Sequence, residues 1–178
     1  MQIRVEQPRD RTAILEIHRR AFGASGDRVA ALVDALHADD PAALGLVAEL
    51  DGEVVGHVMF TRSLLDAPRR IVAVQVLSPL GVRPDHQRRG IGGALVRHGL
   101  PLLDQRAVPL VFVEGDPRYY ARLGFTPGAA HGFRKPSLRV PDDAFQVVVL
   151  AAHEPWMTGT LVYSATFWNH DSVGLRDP

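Results

Sequence analysis

Apolar positions recur along the chain with two spacings, one typical of helices and one typical of strands. The helical spacing covers residues 12–22, 29–36, 90–105 and 117–123. The β-rich apolar runs cover 2–5, 44–50, 53–61, 71–82, 110–113, 145–150 and, as the candidate last strand, 161–167. This order predicts a mixed α/β sheet with helices packed on its faces. The length of 178 residues suits a single domain over residues 1–178.

Three local signals refine these elements. The Asp51-Gly52 pair between two β-rich runs predicts a tight hairpin turn. Pro101 falls inside a helical pattern, so we expect it to kink or split that helix. The segment 126–144 is the one long connection and is rich in glycine and proline. It is therefore either a substrate-side loop or a mobile surface excursion.

Composition excludes several classes of function. The chain has 20 basic and 20 acidic residues, so no global charge attracts nucleic acid or an anionic membrane. It has no cysteine, which excludes disulfides, a thiol nucleophile and thiolate metal sites. The eight histidines lack ligand spacing, so we predict no metal. The chain has no membrane-length apolar run and no signal-peptide core, and these absences predict a cytoplasmic protein.

A glycine-rich turn carries the clearest chemical signal. The apolar run that ends at Val82 leads through an arginine-rich turn into an amphipathic helix, and glycines stand at Gly90, Gly92 and Gly93. Free N–H groups at such a helix start face outward with the positive end of the helix dipole, and this predicts a phosphate site. The neighbouring cationic side chains are Arg83, Arg88 and Arg89. The alternative is a glycine-rich helix start that binds no ligand.

Two familiar phosphate motifs do not fit this turn. A P-loop needs a Gly-Lys-Ser/Thr ending, and no lysine lies near. The dinucleotide fingerprint needs a third glycine five residues after the first, where this chain has Leu95. The pattern that fits is Gln/Arg-x-x-Gly-x-Gly/Ala. With it the chain resembles the GNAT superfamily of acyl-CoA-dependent N-acetyltransferases, whose amides in this turn hold the coenzyme A pyrophosphate. The resemblance assigns cofactor binding to Gln87, Arg88, Arg89, Gly90, Ile91, Gly92 and Gly93.

The strand before the turn fits the same resemblance. Pro79 and Gly81 both interrupt a β-rich run, and a bulge or a splayed strand pair would explain them. GNAT proteins have such a bulge, where the pantetheine arm bonds to the main chain. The resemblance places these contacts at Leu80, Gly81 and Val82. The Gly115-Asp116-Pro117 sequence, the Phe145-Gln146-Val147 run and Tyr163 resemble the YhbS-type group of this superfamily.

A tyrosine is the candidate general acid. The Tyr-x-x-Leu-Gly-Phe sequence at 120–125 resembles the GNAT segment whose tyrosine lies near the thioester sulfur, and Tyr120 is the matching position. A phenol with a pKa of about 10 can protonate a leaving thiolate whose thiol has a pKa of about 8.5. The alternative is that Tyr120 is an amphipathic residue that is half packed and half exposed.

The general base is less clear. Many GNAT enzymes have a glutamate on the strand before the turn, but here Gln75 and Ser78 are the only polar residues between Ile71 and Leu80. Glu114, at the end of the next predicted strand, is the candidate base, with N-capping or ion pairing as its alternative role. His86 and His131 are further candidates.

The resemblance implies a mixed, mostly antiparallel central sheet splayed around acyl-CoA, with helices on both faces. It also implies an N-acetyltransferase that transfers acetyl from acetyl-CoA to an amine by direct attack in a ternary complex. The acceptor would be a small-molecule or peptide amine, and the protein a monomer or homodimer. The alternatives are a non-catalytic acyl-CoA-binding or sensing domain and a purely structural interaction domain.

Overall fold

The computed structural model describes residues 1–175, in which nine strands and five helices follow one another in the predicted mixed order. The strands are β1 (Gln2–Val5), β2 (Leu44–Leu50), β3 (Glu53–Asp66), β4 (Ile71–Val82), β5 (Leu110–Glu114), β6 (Thr126–Pro127), β7 (Phe133–Arg134), β8 (Phe145–Val149) and β9 (Gly159–Val162). The helices are α1 (Arg11–Ala21), α2 (Gly26–Asp39), α3 (Ile91–Gln105), α4 (Pro117–Tyr120) and α5 (Ala165–Asn169). None of the helices in this part of the chain has the length and apolar character of a membrane span.

The described chain divides into two compact units. The first unit contains residues 1–61 and 77–102, and the second contains 62–76 and the described residues from 103 onward. Strands β3 and β4 and helix α3 each contribute residues to both units. A single domain over residues 1–178 stays a prediction.

In the first unit the strand order is β1-β2-β3-β4, with β1–β2 and β2–β3 antiparallel. The β2–β3 turn is the predicted Asp51-Gly52 pair, whose φ angles of 52° and 84° are both positive, as the tight hairpin requires. The core is apolar. It includes Ile14, Ile17, Val33, Leu36, Leu46 and Val58, each at most 1% exposed.

Helix α3 lies very close to β3 in this unit, and two glycines permit the approach. A Cβ at Gly56 would lie 3.0 Å from Ile91 Cγ2, and one at Gly99 would lie 2.4 Å from Phe60 Cε2. Any larger residue at these positions would push the helix and the strand apart. The two contacts therefore fix the position of α3 on this sheet.

In the second unit the order is β3-β4-β5-β8-β6, and β9 pairs with both β3 and β7. The β5–β8 and β3–β9 pairs are antiparallel, and β4–β5 is parallel. The β4–β5 register is two pairs long, Gln75 with Val111 and Val76 with Phe112. The Phe112 ring lies 5.1 Å from the Phe133 ring and 5.5 Å from the Phe145 ring. These pairings confirm the predicted mixed, mostly antiparallel sheet.

Apart from shifts at the ends of elements, such as the extension of β3 to Asp66, the structure differs from the predicted elements in three places. The strand predicted at 161–167 is wrong in its second half, because β9 ends at Val162 and α5 begins at Ala165. Apolar runs of this length do not by themselves distinguish a strand from a buried helix, and Phe167 packs on Tyr163 at 4.9 Å. Of the kink or split expected at Pro101, the split is not found, since α3 continues to Gln105, and the kink stays a prediction. The long 126–144 connection contains β6 and β7.

Candidate active site

The turn between β4 and α3 is held to its own sheet by hydrogen bonds. The Arg83 N–H donates to the Val55 carbonyl oxygen at 2.9 Å, and a short 3-10 turn follows at Pro84–His86. The Gln87 side-chain amide then donates to the Val82 carbonyl oxygen at 3.0 Å. The start of α3 is therefore fixed relative to the end of β4.

The start of α3 presents free amides. The Ala94 N–H donates to the Gly90 carbonyl at 2.9 Å and is the first to make a helical bond, so the amides of Ile91, Gly92 and Gly93 have no partner within the helix. Gly90 has a φ of 82°, and a Cβ there would meet nothing within 4 Å. This positive φ favours glycine over other residues. The absence of a side chain also leaves the approach to the amides open. These features suit an anion.

The three arginines near the turn differ in their partners. The Arg83 guanidinium pairs with Glu53 at 2.8 Å and with Asp85 at 2.6 Å. Arg88 and Arg89 are exposed, and no carboxylate among residues 1–175 pairs with either of them. Arg83 thus stabilises the turn, while Arg88 and Arg89 have their charge available for a ligand.

Tyr120 lies in the second unit, at the end of α4. Asp116 caps this helix by accepting a 2.9 Å hydrogen bond from the Arg118 N–H. The Tyr120 ring packs on Gly115, where a Cβ would lie 2.3 Å from Tyr120 Cε2, and on Phe125 at 5.4 Å. Burial, together with the neighbouring Tyr119, raises the pKa of Tyr120 above its ordinary value of 10. Its phenol therefore keeps its proton at neutral pH.

Glu114, also in the second unit, is half-buried at the end of β5. Burial raises the pKa of its carboxyl, against the opposing effect of hydrogen bonds from Tyr163 and from the Gly174 N–H, the latter at 3.1 Å. Asp116, and not Glu114, caps α4. The Glu114 carboxylate therefore links β5 to the segment that follows α5.

The two other candidate bases, His131 and His86, each have one polar side chain close to the ring. The Nε2 atom of His131 lies 2.8 Å from Thr126 Oγ1 on the exposed side of the second unit. His86 lies in the 3-10 turn after β4, with its Nε2 atom 3.6 Å from Asp85 Oδ2. Within residues 1–175 neither ring has a second polar partner that would orient a catalytic imidazole, and His86 Nδ1 is buried without one.

The first unit contains a chain of four titratable side chains that the sequence pattern does not predict. His18 Nε2 lies 2.7 Å from His57 Nδ1, and His57 Nε2 lies 2.9 Å from Glu6 Oε2. The other carboxylate oxygen, Oε1, lies 2.5 Å from His37 Nε2, and His37 Nδ1 lies 2.8 Å from the Val33 carbonyl oxygen. His18 and His57 are fully buried. We refer to His18, His57, Glu6 and His37 as the histidine chain.

Part of the histidine chain has the spacing of a metal site. Ligand atoms of Glu6, His37 and His57 lie within 4.8 Å of one another. Each of these atoms already has a hydrogen-bond partner within the chain. Hydrogen bonding among its own side chains therefore accounts for the arrangement.

Known proteins share this fold. A family model described as the acetyltransferase (GNAT) domain matches residues 41–127. The GNAT family N-acetyltransferase YhbS from Escherichia coli, solved in complex with CoA, is 34% identical with a TM-score of 0.85; the alignment covers 98% of this chain and 95% of that one. The chain belongs to the GNAT family of N-acetyltransferases.

Two further relatives support this assignment. A GNAT family acetyltransferase from Brucella melitensis, solved in complex with acetyl-CoA, is 32% identical with a TM-score of 0.74, covering 93% of this chain and 97% of that one. The uncharacterized N-acetyltransferase YjhQ of Escherichia coli K12 is 40% identical over 122 residues, which are 67% of this chain and 66% of YjhQ. The predicted resemblance and the predicted GNAT fold are confirmed.

Two of these relatives were solved with CoA or acetyl-CoA, the co-substrate that the sequence predicts for this chain. The start of α3 fits the pyrophosphate of such a ligand, because it offers three free amides and the open approach at Gly90. The unpaired Arg88 and Arg89 add positive charge beside those amides. An acetyl thioester supplies an activated acyl group. A protein that uses it has to bind it, remove a proton from the attacking amine and donate a proton to the leaving sulfur.

Proposed function

We propose that this GNAT protein transfers the acetyl group of acetyl-CoA directly to an amine in a ternary complex. The observation that carries the proposal is the start of α3, with free amides at Ile91, Gly92 and Gly93 beside two unpaired arginines. The chain has no cysteine that could form an acyl-enzyme thioester, in agreement with direct attack.

The proposed coenzyme A contacts fall into two groups in the first unit. Amides at the start of α3, from Gly90 to Gly93, hold the pyrophosphate, and Arg88 and Arg89 neutralise its charge. Main-chain groups of Leu80, Gly81 and Val82 bind the pantetheine arm. Gln87 contributes by keeping the Val82 carbonyl hydrogen-bonded, which supports the turn.

In the proposed reaction the amine nitrogen forms a bond to the acetyl carbonyl carbon, and the carbon–sulfur bond breaks. We assign Tyr120 as the general acid that gives its hydroxyl proton to the leaving sulfur. Its raised pKa keeps the hydroxyl protonated at neutral pH, so it is available to donate to the sulfur as the carbon–sulfur bond breaks. Glu114 stays a candidate for the base that takes the proton from the amine.

The acceptor is proposed to be a small-molecule or peptide amine. A monomer or homodimer and a cytoplasmic location stay predictions. The overall formal charge of zero gives no preference for a strongly charged acceptor.

Release of the CoA thiol from acetyl-CoA tests the proposal. The full chain is assayed with Nα-acetyl-lysine amide, Ala-Ala amide, spermidine and kanamycin, and CoA binding is followed in parallel by thermal shift. We expect amine-dependent thiol release and stabilisation by CoA. Binding without turnover on any amine would replace the enzyme with an acyl-CoA sensor, and the absence of both would leave a structural domain.

A further inference from the structure

One nitrogen of the histidine chain has no partner. His18 Nδ1 is buried and makes no hydrogen bond within the described chain, although an unsatisfied buried polar atom is costly. It faces β4 at Gly81, where a Cβ would lie only 2.8 Å away. A side chain at this position would collide with the ring, so glycine is what allows β4 to lie against the unpaired nitrogen.

The hydrogen bonds fix where the protons of the histidine chain lie. The Val33 carbonyl can only accept, so His37 Nδ1 carries a proton. The Glu6 carboxylate accepts from His37 Nε2 and from His57 Nε2. His57 Nδ1 is then a lone pair that accepts from His18 Nε2–H. The remaining nitrogen, His18 Nδ1, is left as a lone pair.

The charges of these groups agree with that assignment. Burial opposes ionisation of Glu6, but hydrogen bonds from His37 and His57 lower the pKa of its carboxyl to about 2. Burial lowers the pKa of His18 and of His57 below 6.5, so both rings are neutral at pH 7. For His37 the hydrogen bonds to Glu6 and Val33 outweigh burial and raise the pKa, and the nearby Arg11 opposes them.

We propose that His18 is the general base of this GNAT protein and that His57 and Glu6 are positioning residues that orient it. The proposal rests on the proposed function, because it places the acceptor amine beside Gly81. The amine N–H bond breaks and a bond from that proton to His18 Nδ1 forms, directly or through one water. His57 and Glu6 hold the reactive tautomer and stabilise the imidazolium, as a carboxylate does behind a catalytic histidine.

The far end of the histidine chain reaches the surface. Glu6 and His37 are 16% and 22% exposed and line a cavity of about 180 Å³ together with Arg11. When His18 takes up a proton, its positive charge is stabilised through His57 by the Glu6 carboxylate, which is partly exposed to water. After product release the proton returns to water.

The pH profile of four variants tests this base. We compare His18→Gln, His57→Gln and Glu6→Gln with His98→Gln, an exposed histidine on α3 outside the histidine chain. The probe is whichever amine of the panel above turns over fastest. His18→Gln should lower kcat about 100-fold at pH 7 and leave the KM for acetyl-CoA unchanged. The loss should shrink to about threefold at pH 10, where an amine of pKa about 10 deprotonates without help.

Other outcomes overturn the proposal. A loss of kcat in His18→Gln that is equal at all pH values would mean that His18 has a structural role. A pH-dependent loss of kcat found only in Glu114→Gln would make Glu114 the base. Loss of wild-type activity on chelation by EDTA would make the cluster a metal site. If the wild type turns over no amine at all, the proposed function fails first and this inference fails with it.

Nuclear magnetic resonance tests the proton positions without any acceptor. In protein with ¹⁵N-labelled histidine, the long-range ¹H–¹⁵N spectrum at pH 7 should show Nε2–H tautomers for His18 and His57 and a doubly protonated His37. The variants His18→Gln, His57→Gln and His37→Gln assign the signals of the three rings. An Nδ1–H tautomer at His18 would leave no lone pair facing Gly81 and would overturn the proposal.

Discussion

The side-chain amide of Gln87 donates a 3.0 Å hydrogen bond to the Val82 carbonyl oxygen, which ties the glycine-rich turn to the end of β4. The same side chain stands at the start of α3, where an anion would bind. We therefore expect Gln87 to affect ligand binding both through the shape of the turn and through the position of its side chain beside the proposed anion site.

Gln87→Glu should raise the KM for acetyl-CoA about tenfold, because a carboxylate cannot donate to Val82 and repels the pyrophosphate. Gln87→Ala loses only the hydrogen bond and should have a smaller effect. Gln105→Glu, the same change at the exposed other end of α3, is the matched control. Equal KM values for Gln87→Glu and its control would show that the turn does not bind the anion.

Arg88 and Arg89 should contribute more to acetyl-CoA binding than Arg83, whose charge is paired with Glu53 and Asp85. Replacing both with alanine should raise the Kd for CoA by about tenfold or more at low salt, because charge-assisted hydrogen bonds to phosphate are lost. The difference in Kd between the double variant and the wild type should become smaller as the salt concentration rises, since exposed charges are screened. Arg97→Ala on exposed α3 is the control, and titration calorimetry is the measurement. An unchanged Kd would exclude both arginines from the phosphate site.

Local sequence signals predict the elements around the turn well. Strand β4 occupies the predicted residues 71–82, and the Asp51-Gly52 turn has the predicted conformation. Both depend on neighbours in the sequence, on apolar spacing in one case and on residues that tolerate positive φ in the other. The same holds for the free amides at the start of α3.

The histidine chain could not be predicted in this way. Its members are separated by 39, 51 and 31 residues, and each looks in isolation like a surface or core residue. Only the pairing of β1 with β2 and of β2 with β3 brings Glu6 and His57 together. The single signal was a pair of histidines, His18 and His57, among apolar neighbours, where a buried polar group needs a partner.

Gly99→Ala should lower the free energy of unfolding by about 1–3 kcal/mol, because the new methyl group would lie 2.4 Å from Phe60 Cε2. For a chain of this length that is a fall in Tm of about 2–4 °C per kcal/mol. Phe60→Leu should relieve the overlap, so the double variant should be more stable than the sum of the single changes. Additive effects would contradict a direct contact between the two residues.

Tyr120→Phe should lower kcat about 100-fold while the KM for acetyl-CoA changes little, since only the proton donor is removed. Tyr119→Phe removes the neighbouring phenol and serves as the control. The ring of Tyr120 still packs on Phe125, so the Tm should stay close to that of the wild type. Unchanged turnover would remove Tyr120 from the mechanism.

The histidine chain should also make stability depend on pH. The pKa values of His18 and His57 are lowered in the folded state, so their contribution is complete above about 6.5 and is lost as pH falls below it. The pKa of His37 is raised, so its contribution is complete below 6.5 and is lost as pH rises through its folded value. Glu6, with a folded pKa of about 2, loses its contribution as pH falls from about 4.5 to 2.

The wild type should therefore be most stable near pH 6.5–7, and urea unfolding measured from pH 4 to 9 checks this. In the double variant His18→Gln/His57→Gln the free energy of unfolding should decline much less between pH 6.5 and 5 than in the wild type. In His98→Gln it should decline as in the wild type. The lower stability of the double variant at neutral pH does not affect the comparison, because the quantity compared is the slope of the unfolding free energy against pH. A double variant with the wild-type slope would mean that both buried histidines take up protons in the folded state as readily as in the unfolded one.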